Sequence, residues 1–279
     1  MKRLLALRAL ARVAGPCGLA MLIASCQTVQ TTTPGAVGVE RQQRMSVVGP
    51  SRDQINTMSA QQYAQAITQA DKKNLLNRNP QQVQRVRAVA ARLAPKTAIF
   101  RADAPHWAWD VNVITSPELN AWCMPGGKIA VYSGLIEELS LTDDELAAVM
   151  GHEIAHALRE HAREKISQQA PVSVLADIAS AFGYGAISQL GAQGFQLLVG
   201  LPNSREMETE ADRIGIELMA RAGYDPRGAI TVWQKMAKAS QNSSPEFLST
   251  HPSHSTRIAD LSAYAQRVMP LYEQARRGG

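Results

Sequence analysis

The clearest periodicity in the chain lies between residues 80 and 94, where Val83, Val86, Val89, Ala90 and Leu93 recur on one helical face. Asn79-Pro80 opens that run as a cap with proline at the first helical position, and Pro95 stops it. An earlier helix is expected from an N-cap at Ser59 to about Leu76. Between Trp107 and Thr115 the period changes to two, with Trp109, Val111 and Val113 alternating against Asp110 and Asn112, which predicts a strand. Ile129 to Tyr132 predicts a second strand, entered through the turn Pro125-Gly126-Gly127. From Thr142 the pattern is helical almost to the end. Thr142 and Glu145 form a capping box, and Asp143 and Asp144 sit where the helix dipole favours anions, so a helix is expected from here to about Ser167. Further helices are expected from Ser204 to Ala222, closed by Gly223 and Pro226, then from Pro226 to Ser240 and from about Ser255 to Arg276. The fold class this implies is α+β: mostly helical, with a small sheet packed beside the helix that starts at Thr142.

Two stretches break the pattern. Residues 27 to about 55 are polar, Thr-rich and aperiodic, and read as a flexible tether. Residues 178–204 carry no charge, yet Gly183, Gly185, Gly191, Gly194 and Gly200, together with Gln189, Gln193 and Gln196, argue against a spanning helix. A buried or membrane-touching hairpin is expected there.

Charge changes the picture at the start of the chain. The 279 residues hold 29 Lys plus Arg against 24 Asp plus Glu, a formal +5 that would suggest nucleic acid or an anionic surface as partner. However, Lys2, Arg3, Arg8 and Arg12 fall in the first 12 positions, before an apolar run from Val13 to Ala24 that is too short to span a membrane. It ends in Ile23-Ala24-Ser25-Cys26, which resembles the bacterial lipobox, so residues 1–25 are expected to be a lipoprotein signal peptide and Cys26 the lipidated residue. Gln27 after the cysteine, by resemblance to Gram-negative lipoproteins, implies the periplasmic face of the outer membrane. Without the signal the chain keeps 25 bases against 24 acids, which withdraws nucleic acid as a partner. Cys17 leaves with the signal, so Cys123 is the one free thiol, expected to be a small buried hydrophobe, and no internal disulfide is expected. The resulting organisation is signal 1–25, tether 26–55 and one domain 56–279.

The chemistry centres on His152-Glu153-Ile154-Ala155-His156, an HExxH motif inside the helix from Thr142. Residues i and i+4 share a helix face, so both imidazoles can converge on one zinc ion, with Glu153 turned sideways as a general base for water. A catalytic zinc needs a third protein ligand and an open position. The pattern HExxHxxGxxH is excluded, because Arg159 stands at the glycine place and Ala162 at the third histidine place. His161 is one residue off that register and reads as a histidine near the site or in solvent. The third ligand must come from another helix, and Glu206, Glu208 and Glu210 are the candidates.

Four blocks, NAWCMPGGKIAVYSGL, the HEIAH helix, SREMETEADRIGIELMARAGYDP and STHPSHSTRI, occur in this order and together resemble the HtpX/BepA/LoiP-like zinc metallopeptidases. These are gluzincins related to the CAAX prenyl proteases. The resemblance covers about residues 55–270, and the short form, with no tetratricopeptide-like repeat after the domain, is most similar to LoiP. It implies a zincin-type fold, one Zn2+ per chain, and an ExxxD pair falling on Glu208 as third ligand and Asp212 as hydrogen-bond acceptor for a ligating histidine. The i,i+4 spacing of Glu208 and Asp212 agrees, while Glu206 and Glu210 read as solvated surface charges. The resemblance also implies that the Asn120–Gly127 block binds substrate backbone by strand addition. His251 matches a loop histidine that can close the open zinc position as a latch; alternatively it contacts the oxyanion or substrate, as Arg257 also can. The implied function is an endopeptidase for misfolded or stalled envelope proteins, anchored to the outer membrane by lipid, with the outer-membrane assembly machinery as a further partner. The alternative is a latched or non-catalytic, chaperone-like periplasmic lipoprotein that assists outer-membrane protein assembly.

Overall fold

The computed structural model describes residues 26–46, 49–169, 191–240, 246–252 and 256–278. The expected signal peptide and residues 178–190 of the uncharged 178–204 stretch lie outside these residues. Among those described, no helix is long and apolar enough to cross a membrane.

The helix from Thr142 is the axis of the fold. Helix α4 (Asp143–Leu158) starts at the expected capping box: Thr142 Oγ1 accepts from the Glu145 backbone N–H, and the Glu145 carboxylate accepts from the Thr142 N–H. Its residues from Glu145 to Leu158 are all buried, packed between other helices and one face of the sheet. Helices α1 (Arg52–Lys72) and α2 (Pro80–Leu93) precede the sheet, and the short α3 (Ser133–Glu138) links it to α4. The α2 cap is as expected, with Asn79 Oδ1 accepting from the Gln81 and Gln82 N–H groups. Helix α1 begins eight residues before the expected Ser59, at a Ser51/Gln54 capping box, and Ser59 is buried within it.

The sheet has three strands in the order β3-β5-β4, where β3 is Asp110–Ile114, β4 is Ala121–Met124 and β5 is Lys128–Tyr132. Strand β5 runs parallel to β3 and antiparallel to β4, which turns into it through Gly126 and Gly127, both at positive φ. Strand β4 shows no alternation, because all four of its residues are buried, so the pattern on which a strand prediction relies is missing.

The expected single helix to Ser167 is two helices. Glu160 adopts φ 53° after α4, and α5 (His161–Gln169) leaves in a new direction. Three guanidinium groups hold that corner: Arg52 Nε at 2.5 Å and Arg101 Nη1 at 3.0 Å from Glu160 Oε1, and Arg163 Nη1 at 2.9 Å from Oε2. After a short turn of helix α6 (Gly191–Phe195) and a widened turn over Gln196–Gly200, helix α7 (Arg205–Arg221) packs along α4. Helices α8 (Gly228–Ala239), α9 (Glu246–Thr250) and α10 (Arg257–Arg277) close the core.

The tether is corrected by the structure. Strands β1 (Cys26–Val29) and β2 (Gln43–Ser46) form a hairpin that lies against the domain, with Val37 and Val39 of the intervening segment and Met45 of β2 buried. Its polar residues, which suggest solvation in the sequence, have buried partners instead. Thr31 Oγ1 donates to Gln43 Oε1 at 2.6 Å, Gln43 Nε2 donates to the Arg159 carbonyl, and the Val37 N–H donates to Glu217 Oε2 at 3.0 Å.

Candidate metal centre

Glycine sets the distance between α4 and α7. A Cβ on Gly151 would lie 2.9 Å from the Gly215 carbonyl oxygen, and one on Gly215 would lie 2.7 Å from the His152 backbone nitrogen. The two backbones therefore touch at the level of the first motif histidine. Glu208, Asp212 and Gly215 follow the i, i+4, i+7 stripe of α7, so the contact at Gly215 aims both carboxylates at the histidines of α4.

The four side chains His152, His156, Glu208 and His251 each offer one ligand atom, and these atoms lie within 4.8 Å of one another, all buried. His152 Nε2 and His156 Nε2 are 3.0 Å apart, with Glu208 Oε1 3.3 Å from the latter and Oε2 3.5 Å from the former. Both Nδ1 atoms face away, that of His152 toward Asp212 Oδ1 at 3.0 Å and that of His156 toward His161 Nδ1 at 2.8 Å. Two imidazole lone pairs and a carboxylate thus meet at one point, and Glu208 Oε2 has no hydrogen-bond partner there. A nitrogen, nitrogen, oxygen donor set converging in a buried place fits a zinc ion. Burial would raise the Glu208 pKa, but His251, His152 and Arg257 outweigh it and hold the carboxyl below its ordinary range.

Glu153 sits beside this cluster. Burial, the main cause, pushes its carboxyl up to about 8; the Glu208 charge acts in the same direction and His152 offsets it only in part. Such a carboxyl can take and return a proton near neutrality. His251 Nε2 lies 3.3 Å from Glu153 Oε1, while its Nδ1 faces the Phe247 carbonyl at 3.1 Å and its ring stacks on Phe247 at 4.2 Å. The α9 loop therefore presents the Nε2 lone pair of His251 to the cluster.

Arg257 does not face an open cleft. It is 1% exposed, with Nη2 donating to Asp212 Oδ1 at 2.7 Å, Nη1 at 3.0 Å from Glu208 Oε2 outside hydrogen-bond alignment, and its guanidinium 3.2 Å above the Trp233 ring. These contacts give it the place of a clamp on the two α7 carboxylates, and it does not line the cavity that opens on the cluster, as the expected oxyanion contact would.

A cavity of about 110 Å³ opens on the cluster, lined on one side by Cys123 and Trp122 of β4 and on another by Leu198, Val199 and Asn203. Cys123 is buried within the core. Asn203 Nδ2 donates to Glu208 Oε1 at 2.8 Å, a contact with no sequence signal. Glu210, expected as a surface charge, is buried instead, and His161, expected near the site or in solvent, lies near the site. Glu210 is 5% exposed and His161 is 1% exposed, and they bond to each other. Glu206 does stay outside the core.

Comparison with known proteins agrees with this geometry. The profile of peptidase family M48 matches residues 80–265. The mitochondrial metalloendopeptidase OMA1 of Arabidopsis thaliana is 37% identical over 61% of this chain and 35% of its own length. The OMA1 of Saccharomyces cerevisiae is 35% identical over 60% of this chain and 50% of its own. The β-barrel assembly-enhancing protease of Escherichia coli is 32% identical over 58% of this chain and 36% of its own. The chain thus spans half or less of the length of these curated relatives.

Proposed function

The chain belongs to peptidase family M48, and on that premise we propose that it is a zinc-dependent endopeptidase of the bacterial cell envelope that hydrolyses peptide bonds in misfolded or stalled envelope proteins. The reading is carried by the convergence of His152 Nε2, His156 Nε2 and Glu208 on one point with Glu153 beside it. His152, His156 and Glu208 would hold one zinc ion, which when bound would supply Lewis acidity toward a carbonyl oxygen and make water easier to deprotonate. Glu153 takes the proton from the attacking water and returns it to the leaving amine. Asp212 accepts the Nδ1–H of His152 and so keeps its Nε2 free, while Arg257 fixes Glu208 and Asp212 relative to each other. His251 is the gate: its Nε2 lies among the ligand atoms, so the loop after α9 would have to move before substrate reaches them.

Placement in the envelope rests on the lipobox-like Ile23-Ala24-Ser25-Cys26, with Cys26 as the lipid-bearing residue on the periplasmic face of the outer membrane. The likeness to the β-barrel assembly-enhancing protease supports unfolded envelope proteins as substrates and the outer-membrane assembly machinery as a partner. The position of His251 also favours a second reading, in which the site is shut and the protein acts as a chaperone-like lipoprotein. Casein cleavage by the protein with zinc, with a chelator and as Glu153→Gln separates the two. We expect cleavage only in the first case, with Glu153→Gln still binding zinc. Equal cleavage in all three removes the enzyme reading, and cleavage in none favours the shut form.

A further inference from the structure

The two ligand histidines are supported differently. His152 Nδ1 meets a carboxylate directly, whereas His156 Nδ1 meets a second imidazole, His161, whose Nε2 lies 3.0 Å from Glu210 Oε2. If the Nε2 lone pair of His156 faces the cluster, its Nδ1 must carry the proton. Then one arrangement satisfies every group: His156 Nδ1–H donates to His161 Nδ1, and His161 Nε2–H donates to Glu210. The carboxylate at the end of this line also accepts from Arg159 Nε at 2.9 Å, and from Arg41 Nε at 2.5 Å on its other oxygen. Arg41 belongs to the segment between β1 and β2, and its two Nη atoms bridge to Glu164 of α5 at 2.8 and 2.9 Å.

We propose that Arg41, Glu210 and His161 form a positioning relay that fixes the ring of His156 for metal binding, the counterpart of the direct Asp212 contact on His152. The inference rests on the zinc reading above and extends it to residues outside the motif, one of them in the N-terminal segment. Physically, an ionised Glu210 accepting from His161 Nε2–H makes the opposite nitrogen a better acceptor, which fixes the tautomer and plane of His156. The two guanidinium groups keep that carboxylate charged and in place. The same corner at Glu160 that ends α4 makes the relay geometrically open: in an unbroken helix His161 would point about 140° away from His156, and the turn brings the two Nδ1 atoms within 2.8 Å.

The test is zinc affinity of the full chain, measured by competition with a chromophoric chelator, and the visible absorption of the cobalt(II)-substituted protein. H161F and E210Q are expected to weaken zinc binding roughly 10- to 100-fold, and R41Q by about threefold or more. R41K should recover part of that loss, and the cobalt spectrum should shift in H161F and E210Q. T33V serves as control. It removes the Thr33 Oγ1 bond to the Ile99 carbonyl, which pins the same segment without touching the relay, and it should lower the melting temperature with zinc affinity unchanged. Wild-type affinity and spectrum in H161F and E210Q would overturn the relay while leaving the zinc reading intact. A T33V loss equal to that of R41Q would overturn it too, by showing a general effect of the segment. A wild-type chain that binds no zinc would remove both readings.

Discussion

His251 is held by its own loop rather than by the groups it faces. Its Nδ1 is turned to the Phe247 carbonyl and its ring stacks on Phe247, so the imidazole keeps its aim at the cluster whether or not a ligand is there. If the closed arrangement holds about 90% of molecules, removing the side chain should raise apparent activity roughly tenfold. We therefore expect His251→Ala to cleave casein faster than the wild type, in initial rates at saturating zinc; a slower variant would make His251 a contact of the reacting substrate. At this scale the sequence was readable where spacing and residue type agree, as in HEIAH, whereas spacing alone left Glu206, Glu208 and Glu210 open and the family resemblance pointed to Glu208 with Asp212. The sequence was not readable at Glu210, and for His161 it left a place near the site and one in solvent both open. Their roles depend on a helix break at Glu160, and a non-glycine residue at positive φ carries no composition signal.

Among the elements, α4 is placed by its two ends and by one contact in the middle. At its start, burial would raise the Glu145 pKa, but Lys235, the Thr142 N–H and the Thr231 hydroxyl outweigh it and leave the pKa below its ordinary 4.5. A carboxylate with a depressed folded pKa adds stability that is present above 4.5 and is lost as pH falls below it. The wild-type melting temperature should therefore drop on acidification below about pH 4.5, and Glu145→Gln should be less stable at pH 7 but show a shallower acid drop in thermal scans. In the middle, Gly215 has no room for a methyl group against the His152 backbone. Gly215→Ala should cost about 1–3 kcal/mol in urea unfolding and weaken zinc binding, because α7 must move away from the helix that carries the histidines. The helix starts at Asn79 and Thr142 were legible because caps are local chemistry. Ser51 has the same S-x-x-Q signature, but polar surroundings hid it.

For the whole molecule, the largest departure from the sequence reading is the N-terminal segment. Thr, Gln and Arg side chains there look like a solvated linker, yet Arg41, Thr32 and Gln43 complete a buried charge network around Arg159, which is itself 0% exposed. Composition could not show this, since Arg159 and Glu164 lie more than a hundred positions from Thr32, Arg41 and Gln43 in sequence. What composition and spacing did show is the α+β class, the helical second half and the helix that bears the motif.

The backbone contact between Gly151 and Gly215 has a kinetic consequence. The width of the ligand cluster is set by two helices touching, not by an ion drawing loose ligands together, so folding and metal capture are separate events. Stripping zinc with a chelator should lower the melting temperature by mass action while leaving the far-ultraviolet circular dichroism unchanged. On return of zinc, activity should come back in a phase whose rate scales with metal concentration, with no slow refolding step. On the function proposed above, the onset of activity is then limited by the supply of the ion, since the polypeptide already holds the shape that receives it.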